Sequence, residues 1–383
     1  MTLWSRTDTS PLSRWWWTVD RTSLFAVLGL IALGLVLILS ASPPIAAKHG
    51  FEPLHFFYRQ LVFIAPALTV MIGLSLTPIE WLKTRSIVAL AMCYALLLAT
   101  LIFGSDTNGA KRWISVGNFA LQPSEFLKPF LVIVLARILT DDARLARWKR
   151  FVAALLLLPA VILPLALQPD FGQSALITVV CVSMLFLAGL PFMVIMILGA
   201  IGVAGSYLIY SHVPHVAQRI DGFLNPDASE NYQVQQAVRA FQTGGPLGDG
   251  MGEGRVKWVL PDAHTDFIFA VAGEEFGLFA CLLIVGLFGV IIFRCFIRAM
   301  KEPDHFVQLA ASGLGMLLAL QAFINLGVNV HILPAKGMTL PFVSYGGSSL
   351  LAVSITLGLL LALTRRRITG GLPKGVALRR RLV

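Results

Sequence analysis

Residues 261–277 read Pro-Asp-Ala-His-Thr-Asp-Phe-Ile-Phe-Ala-Val-Ala-Gly-Glu-Glu-Phe-Gly, and they join a long polar loop to an apolar run. The loop ends in His264, Thr265 and Asp266, and the apolar run begins at Phe267. A charged side chain inside hydrocarbon costs roughly 2.5 to 3.5 kcal/mol, so an acid at this boundary is by default a functional-site hypothesis. The alternative is a helix start, in which Thr265 or Asp266 is the N-cap of the following helix. The two interpretations are compatible, because a cap also fixes the position of an acid.

The composition places the chain among membrane proteins. It has 383 residues, of which 57% are hydrophobic and 13% are charged, whereas a soluble domain carries about 25% charged residues. Crossing the hydrocarbon core takes about 20 apolar residues, with tolerance for shorter buried helices. Ten apolar runs meet this condition: 24–42, 60–77, 86–103, 125–139, 151–168, 173–190, 192–211, 267–293, 306–332 and 342–363. We therefore predict an all-α polytopic membrane protein with about ten transmembrane helices.

Prolines set the limits of several predicted spans. Ser42-Pro43-Pro44 is expected to end the first span. Pro169 and Pro191 mark short breaks, which are either loops or kinks within longer helices.

Lysine and arginine are concentrated on one side of the predicted spans. With ten spans both termini share a side, and the segments on that side hold most of the 30 basic residues. This bias places both termini in the cytoplasm. The predicted organisation is an N-terminal tail over 1–23, a ten-helix membrane domain over 24–364 and a basic C-terminal tail over 365–383. The net charge of +10 is then mostly an orientation signal, and it does not call for a nucleic-acid partner.

The longest predicted connection, residues 212–265, falls on the extracytoplasmic side. Long connections of this kind are usually functional or disordered, and the composition of this one is not typical of disorder. Val234, Ala237 and Phe241 follow helical spacing, which predicts an amphipathic helix lying on the outer membrane surface. The glycine-rich residues 244–254 lack the lysine of a phosphate-binding loop, so we expect a flexible turn there.

One predicted span begins with a pair of opposite charges. Glu125 and Lys128 are three residues apart, so they share one helix face and can pair inside the membrane. Ser124 is expected to cap the start of this helix. The pair is either a structural ion pair or part of a substrate cavity, because intramembrane charges face one another or an interior cavity.

Three arginines add positive charge on the same side: Arg59, Arg112 and Arg219. Arginine suits bidentate capture of phosphate, so together with Lys128 they are candidates for binding a pyrophosphate at the outer leaflet. Taken alone, each is also typical of an interfacial residue whose head group reaches water. No set of three or four ligands with metal spacing is visible, and we predict no dedicated metal site.

Residues 333–349 hold two prolines and three glycines between predicted spans. Such a segment predicts irregular backbone that is buried in protein or lines a water-filled cavity. Ser344 and Ser348 lack a G-x-S-x-G context, so neither is expected to be a nucleophile.

Five long motifs carry a resemblance to a known family. They are Asn108-Gly-Ala-Lys-Arg-Trp-Ile, Gln122-Pro-Ser-Glu-x-x-Lys, Gln168-Pro-Asp-Phe-Gly, His264-Thr-Asp-Phe-Ile-Phe-Ala-x-x-Gly-Glu-Glu, and Leu333-Pro-x-Lys-Gly-x-Thr-Leu-Pro-x-x-Ser-Tyr-Gly-Gly-Ser-Ser. Together they resemble the SEDS family (shape, elongation, division and sporulation) across nearly all ten spans. Phe171 and Gln173 replace the more usual leucine and threonine. The last motif resembles the division-type members more than the elongation-type ones.

The resemblance implies an inverting peptidoglycan glycosyltransferase that polymerises lipid II on the outer face of the bacterial cytoplasmic membrane. The implied partners at the division septum are a class B penicillin-binding transpeptidase and other division proteins. No cofactor is implied, and assistance by a divalent cation stays open. Asp266 matches the essential acid, and we interpret it as the base for the acceptor hydroxyl. Substrate-binding roles are assigned to Glu125, Lys128, Arg59, Arg112, Arg219, His264, Thr265, Lys336 and Ser344.

Three other functions stay open at this point. A lipid II flippase would share the ten spans and the charged pair, and it predicts broken helices in corresponding halves of the chain. A noncatalytic scaffold predicts that Asp266 is dispensable. An elongation-type polymerase of the same family would differ in its cellular role only.

Overall fold

The computed structural model describes residues 10–107, 110–117, 119–141, 146–224, 232–334 and 337–366. Within them the chain forms thirteen helices and three short strands. The helices are α1 Pro11–Thr18, α2 Arg21–His49, α3 His55–Ser75, α4 Ile79–Phe103, α5 Pro123–Thr140, α6 Arg147–Leu167, α7 Phe171–Leu187, α8 Phe192–His212, α9 Pro214–Leu224, α10 Tyr232–Gly244, α11 Ile268–Met300, α12 His305–Asn329 and α13 Gly347–Thr364. Residues 1–9 of the predicted N-terminal tail and 367–383 of the predicted C-terminal tail lie outside the described residues, whereas the rest of the N-terminal tail holds α1 and the first turn of α2.

A helix lies at each of the ten predicted spans, which confirms the helical membrane fold. Eight of the described helices are long and apolar enough to cross a membrane: α2, α3, α4, α6, α8, α11, α12 and α13. The other two fall short, because α5 carries three charged side chains and α7 has only 17 residues. The count of ten spans therefore stays a prediction.

The first span does not end at Ser42-Pro43-Pro44, and that prediction is wrong. Helix α2 continues through both prolines to His49 and ends at Gly50, whose φ of 69° suits a glycine C-cap. Prolines are tolerated inside membrane helices where side chains and neighbouring helices satisfy the freed backbone groups. The breaks at Pro169 and Pro191 are confirmed as connections between separate helices.

A small antiparallel sheet, which the sequence analysis did not predict, lies between α4 and α5. Strand β1 (Ser105–Thr107) pairs with β2 (Ala110–Val116), and β2 pairs with β3 (Phe119–Leu121). The sequence between the paired Thr107 and Ala110 is Asn-Gly, the dipeptide that most favours a two-residue hairpin. The Asn-Gly dipeptide was therefore a signal in the sequence from which this sheet could have been predicted.

The amphipathic helix predicted within residues 212–265 is confirmed as α10. Its apolar face lies against α11 and is not free to rest on a membrane: Val234 and Ala237 are buried, and the rings of Phe241 and Phe269 are 5.6 Å apart. A side chain at Gly273 would collide with Phe241, since a Cβ there would lie 2.3 Å from that ring. The helix is therefore docked on protein at the outer end of α11.

The glycine-rich segment after α10 forms turns, as predicted, and its backbone is bonded to that of α11. The amides of Asp249 and Gly250 donate to the carbonyls of Glu274 and Glu275 at 2.9 and 3.0 Å. Helix α11 is broken beside this contact, at Gly277, whose φ is 70° and ψ −166°. The glycines allow two backbones to approach more closely than side chains would permit.

We expect Gly248→Ala to destabilise the protein more than Gly252→Ala. Both glycines have a left-handed φ, of 83° and 88°, so each alanine costs about 1 to 2 kcal/mol in backbone strain. A Cβ at Gly248 would also lie 2.2 Å from the carbonyl oxygen of Glu275, whereas nothing lies within 4 Å of one at Gly252. Overpacking adds about 1 to 3 kcal/mol at Gly248 alone. Thermal unfolding in detergent measures the difference, and equal midpoints for the two variants would contradict it.

Candidate functional site

Asp266 lies in a tight turn before α11. The carbonyl of Asp262, a residue with a φ of 52°, accepts the amides of Thr265, Asp266 and Phe267 at 3.0, 3.1 and 3.3 Å. Helix α11 starts at Ile268, and the residue at its N-cap position is Phe267. The interpretation of Thr265 or Asp266 as the N-cap residue is therefore wrong.

Two amides of α12 hold the backbone of Asp266. The Nδ2 atoms of Asn325 and Asn329 each donate to the Asp266 carbonyl at 2.9 Å. The Asn329 Oδ1 accepts the amide of Ala270 at 3.1 Å and so satisfies the first turn of α11 in place of a cap. Asn325 also donates to the carbonyl of Met338 at 2.6 Å. Both asparagines are buried, so three chain segments are fixed around one residue.

The carboxylate of Asp266 points toward Gly337. Its Oδ2 lies 3.3 Å from the place a Cβ would take at Gly337, whose φ is 60°. It lines a cavity of about 20 Å³ whose other walls are Gln233, Phe267, Asn325, Val328, Gly337 and Met338. A polar cavity of this size holds about one water molecule, or one hydroxyl group of a ligand.

Ser344 connects the Asp266 turn to the irregular segment before α13. Its hydroxyl donates to the carbonyl of Thr265 at 2.5 Å and accepts the amide of Leu340 at 2.8 Å. Next to it, the amide of Tyr345 donates to the carbonyl of His264 at 2.9 Å. The predicted residues His264, Thr265, Asp266 and Ser344 are thus brought together, and the irregular backbone predicted for this segment is confirmed.

The ring of His264 is 7% exposed and packs with the rings of Phe56 and Tyr345 in a cluster of three. Its centroid is 4.6 Å from that of Phe56 and 5.2 Å from that of Tyr345. Burial, with a smaller contribution from the nearby His49, lowers the pKa of His264 to about 4. Burial raises the pKa of Tyr345, while the charge of Arg59 opposes that shift. Arg59 is three residues after Phe56 in α3, so the two share one face of that helix.

Glu125 and Lys128 form the predicted ion pair, with 2.8 Å between Oε2 and Nζ and almost no exposure. Gln173 of α7 bridges the pair: its Oε1 accepts from Lys128 at 3.0 Å, and its Nε2 donates to Glu125 at 2.5 Å. The capping role predicted for Ser124 is wrong. Helix α5 starts one residue earlier, with Pro123 at its first position, and the Ser124 hydroxyl is buried without a hydrogen-bond partner.

Helix α12 lies between the Glu125–Lys128 pair and the Asp266 turn, and it presents a polar stripe to both that the sequence analysis missed. Gln321, Asn325 and Asn329 are spaced four residues apart and are 4%, 2% and 0% exposed. Gln321 Oε1 accepts from Lys128 at 3.5 Å at one end, while the asparagines reach Asp266 at the other. Three amides at helical spacing within an apolar run were the available signal.

The remaining predicted residues are placed differently. Arg112 of β2 donates to the carbonyls of Gln168 and Pro169 at 3.1 and 2.5 Å, so it closes the C-terminal end of α6. The side chain of Arg219 and the whole of Lys336 lie outside the described residues.

We expect the protein to lose stability as the pH falls from about 6.5 to about 4. His264 stays neutral in the folded protein because its pKa is lowered to about 4, whereas an unfolded histidine binds a proton below about 6.5. The unfolded state then binds more protons across this window, which favours unfolding. Unfolding midpoints at pH 7 and pH 5 measure the effect. His264→Phe should reduce the difference, and His212→Phe, which changes an exposed ring, should not. Equal pH dependence in wild type and His264→Phe would contradict the assignment.

Comparison with known families matches residues 21–368 to the family of cell cycle proteins that comprises FtsW, RodA and SpoVE. A probable peptidoglycan glycosyltransferase FtsW from Caulobacter vibrioides is 39% identical over 365 residues, which span 95% of this chain and 93% of the relative. Stage V sporulation protein E from Bacillus subtilis is 34% identical, over 90% of this chain and 97% of the relative.

Two solved structures share the fold. A chain in a peptidoglycan synthase complex superposes with a TM-score of 0.76 and 29% identity, covering 90% of this chain and 97% of that one. The rod shape determining protein RodA of Thermus thermophilus gives a TM-score of 0.69 and 28% identity, covering 91% and 97%.

Proposed function

Because the chain belongs to the FtsW/RodA/SpoVE family of cell cycle proteins, we propose that it is a peptidoglycan glycosyltransferase. Its proposed substrate is lipid II, which it polymerises into glycan strands on the outer face of the cytoplasmic membrane. The relatives named above support the activity. The observation that carries the site is the half-buried Asp266 carboxylate, held by α12 and facing a small polar cavity.

In the proposed reaction Asp266 is the general base. It takes the proton of the acceptor sugar hydroxyl, and the acceptor oxygen forms a bond to the anomeric carbon of the donor. The bond from that carbon to the lipid pyrophosphate breaks, and the pyrophosphate leaves with both electrons. One displacement inverts the anomeric centre without a covalent enzyme intermediate. The Asp266 carbonyl is held in advance by Asn325 and Asn329, so little reorganisation is needed during the reaction.

Cations on the same side supply the charge that a departing pyrophosphate requires. Arg59 shares a face of α3 with Phe56, a neighbour of His264, and Lys128 contacts Gln321 of α12, the helix whose asparagines hold Asp266. Arg112, Arg219 and Lys336 are further candidates by sequence. No cofactor is part of this proposal; polymerisation assayed before and after chelation tests whether a divalent cation assists.

The proposed partner is a class B penicillin-binding transpeptidase. One of the two structural neighbours was solved within a peptidoglycan synthase complex, and FtsW relatives support a role in division at the septum. Localisation of a fluorescent fusion in dividing cells tests the septal assignment against the elongation role.

We expect Asp266→Asn to abolish glycan synthesis by the purified protein, assayed with lipid II alone and with the transpeptidase. Loss of a general base lowers the rate by about 100- to 10,000-fold. Asp262→Asn is the matched control, because it changes an exposed acid in the same turn and asparagine tolerates the left-handed backbone there. The control should retain activity and the unfolding midpoint of wild type.

Each outcome of this assay separates the hypotheses. Glycan strands made by wild type and by Asp262→Asn, but not by folded Asp266→Asn, support the polymerase and the assignment of Asp266 as its base. Strands made by Asp266→Asn would remove Asp266 as the base. No strands from wild type, even with the transpeptidase, would favour the flippase or scaffold.

We expect Lys128→Met to weaken lipid II binding by about tenfold, because the variant removes a cation near the proposed pyrophosphate site and leaves Glu125 as a buried negative charge without its ion-pair partner. Lys83→Met is the control. It removes the ion pair between Lys83 and Asp304, whose Nζ and Oδ2 atoms are 3.3 Å apart and whose side chains are about one-third exposed. This pair lies near the start of α4 and just before α12, away from Lys128. Binding of labelled lipid II measures the effect, and equal affinities for the two variants would assign the buried pair to structure alone.

A further inference from the structure

A buried lysine lies in the loop that leads to Asp266. The ammonium of Lys257 donates to the Ser40 hydroxyl of α2 at 2.9 Å and to the Gly252 carbonyl at 3.0 Å, and it forms an ion pair with Glu275 of α11. An ammonium group has three donors, so all of them are used. The side chains of Lys257 and Glu275 are 3% and 0% exposed. Ser40 also donates to Glu275, at 2.5 Å.

The neighbouring Glu274 holds the same loop through its backbone. Its carboxylate accepts the amides of Val256 and Lys257 at 2.6 and 3.1 Å. A Cβ at Gly254 would lie 2.8 Å from the Glu274 carboxyl carbon, so a larger residue there would displace this carboxylate. We call Ser40, Lys257, Glu274 and Glu275 the loop anchor. It ties α2, the loop and the first turns of α11 together.

The anchor closes the chain on both sides of the proposed base. Asp266 is nine residues after Lys257 and nine residues before Glu275. The ion pair thus joins the two ends of the segment whose middle residue is Asp266, while Asn325 and Asn329 hold that middle.

Stability alone does not account for burying this pair. Desolvating two charges costs several kcal/mol per ion, and a neutral pair of similar volume is often as stable or more stable. A neutral pair cannot reproduce the geometry of the Lys257 ammonium, which donates to acceptors on α2, on α11 and in the loop. The anchor therefore fixes a position, at no evident gain in stability.

We infer that Lys257 is a positioning residue for glycosyl transfer: through its bonds to Ser40, Gly252 and Glu275, it holds the loop so that the Asp266 carboxylate meets the acceptor hydroxyl. This inference rests on the proposed function. Lys257 touches neither substrate nor the reacting atoms, so its removal should lower kcat and leave KM for lipid II almost unchanged. A misplacement of about 1 Å at a catalytic group costs about 100-fold in rate.

The test compares Lys257→Met with the double variant Lys257→Met/Glu275→Gln. The single variant leaves Glu275 buried without its partner and should lose both stability and kcat. The double variant removes that unpaired charge and should recover the unfolding midpoint of wild type. Its kcat should stay about 10- to 100-fold below wild type, with KM within about twofold. Hydrogen exchange at the amides of residues 249–257 should be faster in both variants.

Asp20→Asn is the matched control at the other end of α11. Asp20 is a buried carboxylate paired with Arg294, 2.7 Å away, so its loss lowers stability without touching the loop. Its kcat and the exchange of residues 249–257 should equal those of wild type. A double variant that recovers kcat together with stability would overturn the inference, as would an unchanged kcat in Lys257→Met or a loss confined to KM. A wild-type protein that makes no glycan would overturn the proposed function instead.

Discussion

One backbone carbonyl, that of Asp266, accepts two side-chain amides from the same helix, and the arrangement of the outer half of the protein depends on it. Buried polar groups must be paired, and an unpaired one costs about 1 to 3 kcal/mol. Asn325 and Asn329 are almost wholly buried, so their only way to avoid that cost is to bond to the turn, to each other and to the segment at Met338. Those bonds hold the main chain of the proposed base, and its carboxylate lines the small polar cavity beside Gly337.

The same requirement explains how two charged clusters coexist within an apolar bundle. Glu125 and Lys128 are paired and bridged by Gln173, and Lys257 is surrounded by three acceptors. Gln321 extends the polar surface of α12 toward the first cluster. Helix α12 thus carries polar side chains that contact Lys128 at one end and the Asp266 turn at the other, inside an otherwise apolar bundle.

The sequence predicted those features that depend on apolar length and on spacing along one helix. Ten runs gave ten helices, and the three-residue spacing of Glu125 and Lys128 gave their ion pair. The long motifs gave the family, which the match over residues 21–368 confirms. The errors concern where backbone groups find partners. The starts of α5 and α11 were assigned to local caps. In α11, however, an amide of the first turn, that of Ala270, donates to the side chain of Asn329, which lies 59 positions later in the sequence. The glycine-rich segment was expected to form a turn, and nothing local shows that the backbone of Glu274 and Glu275 lies against it. Such partners are distant in sequence, so periodicity does not reveal them.

The break at Gly277 divides α11 into two units. The outer unit, residues 268–276, is bonded to the glycine-rich segment, to Lys257 and to α12, so it belongs with the Asp266 turn. The inner unit, residues 278–300, ends at the ion pair between Asp20 and Arg294. The amide of Leu278, the first residue after the break, donates to the carbonyl of Gly245 at 3.0 Å, so the glycine-rich segment is bonded to both sides of the break. The kink and the segment packed into it therefore set the direction in which the first turns of α11, and with them the Asp266 turn, leave the long helix.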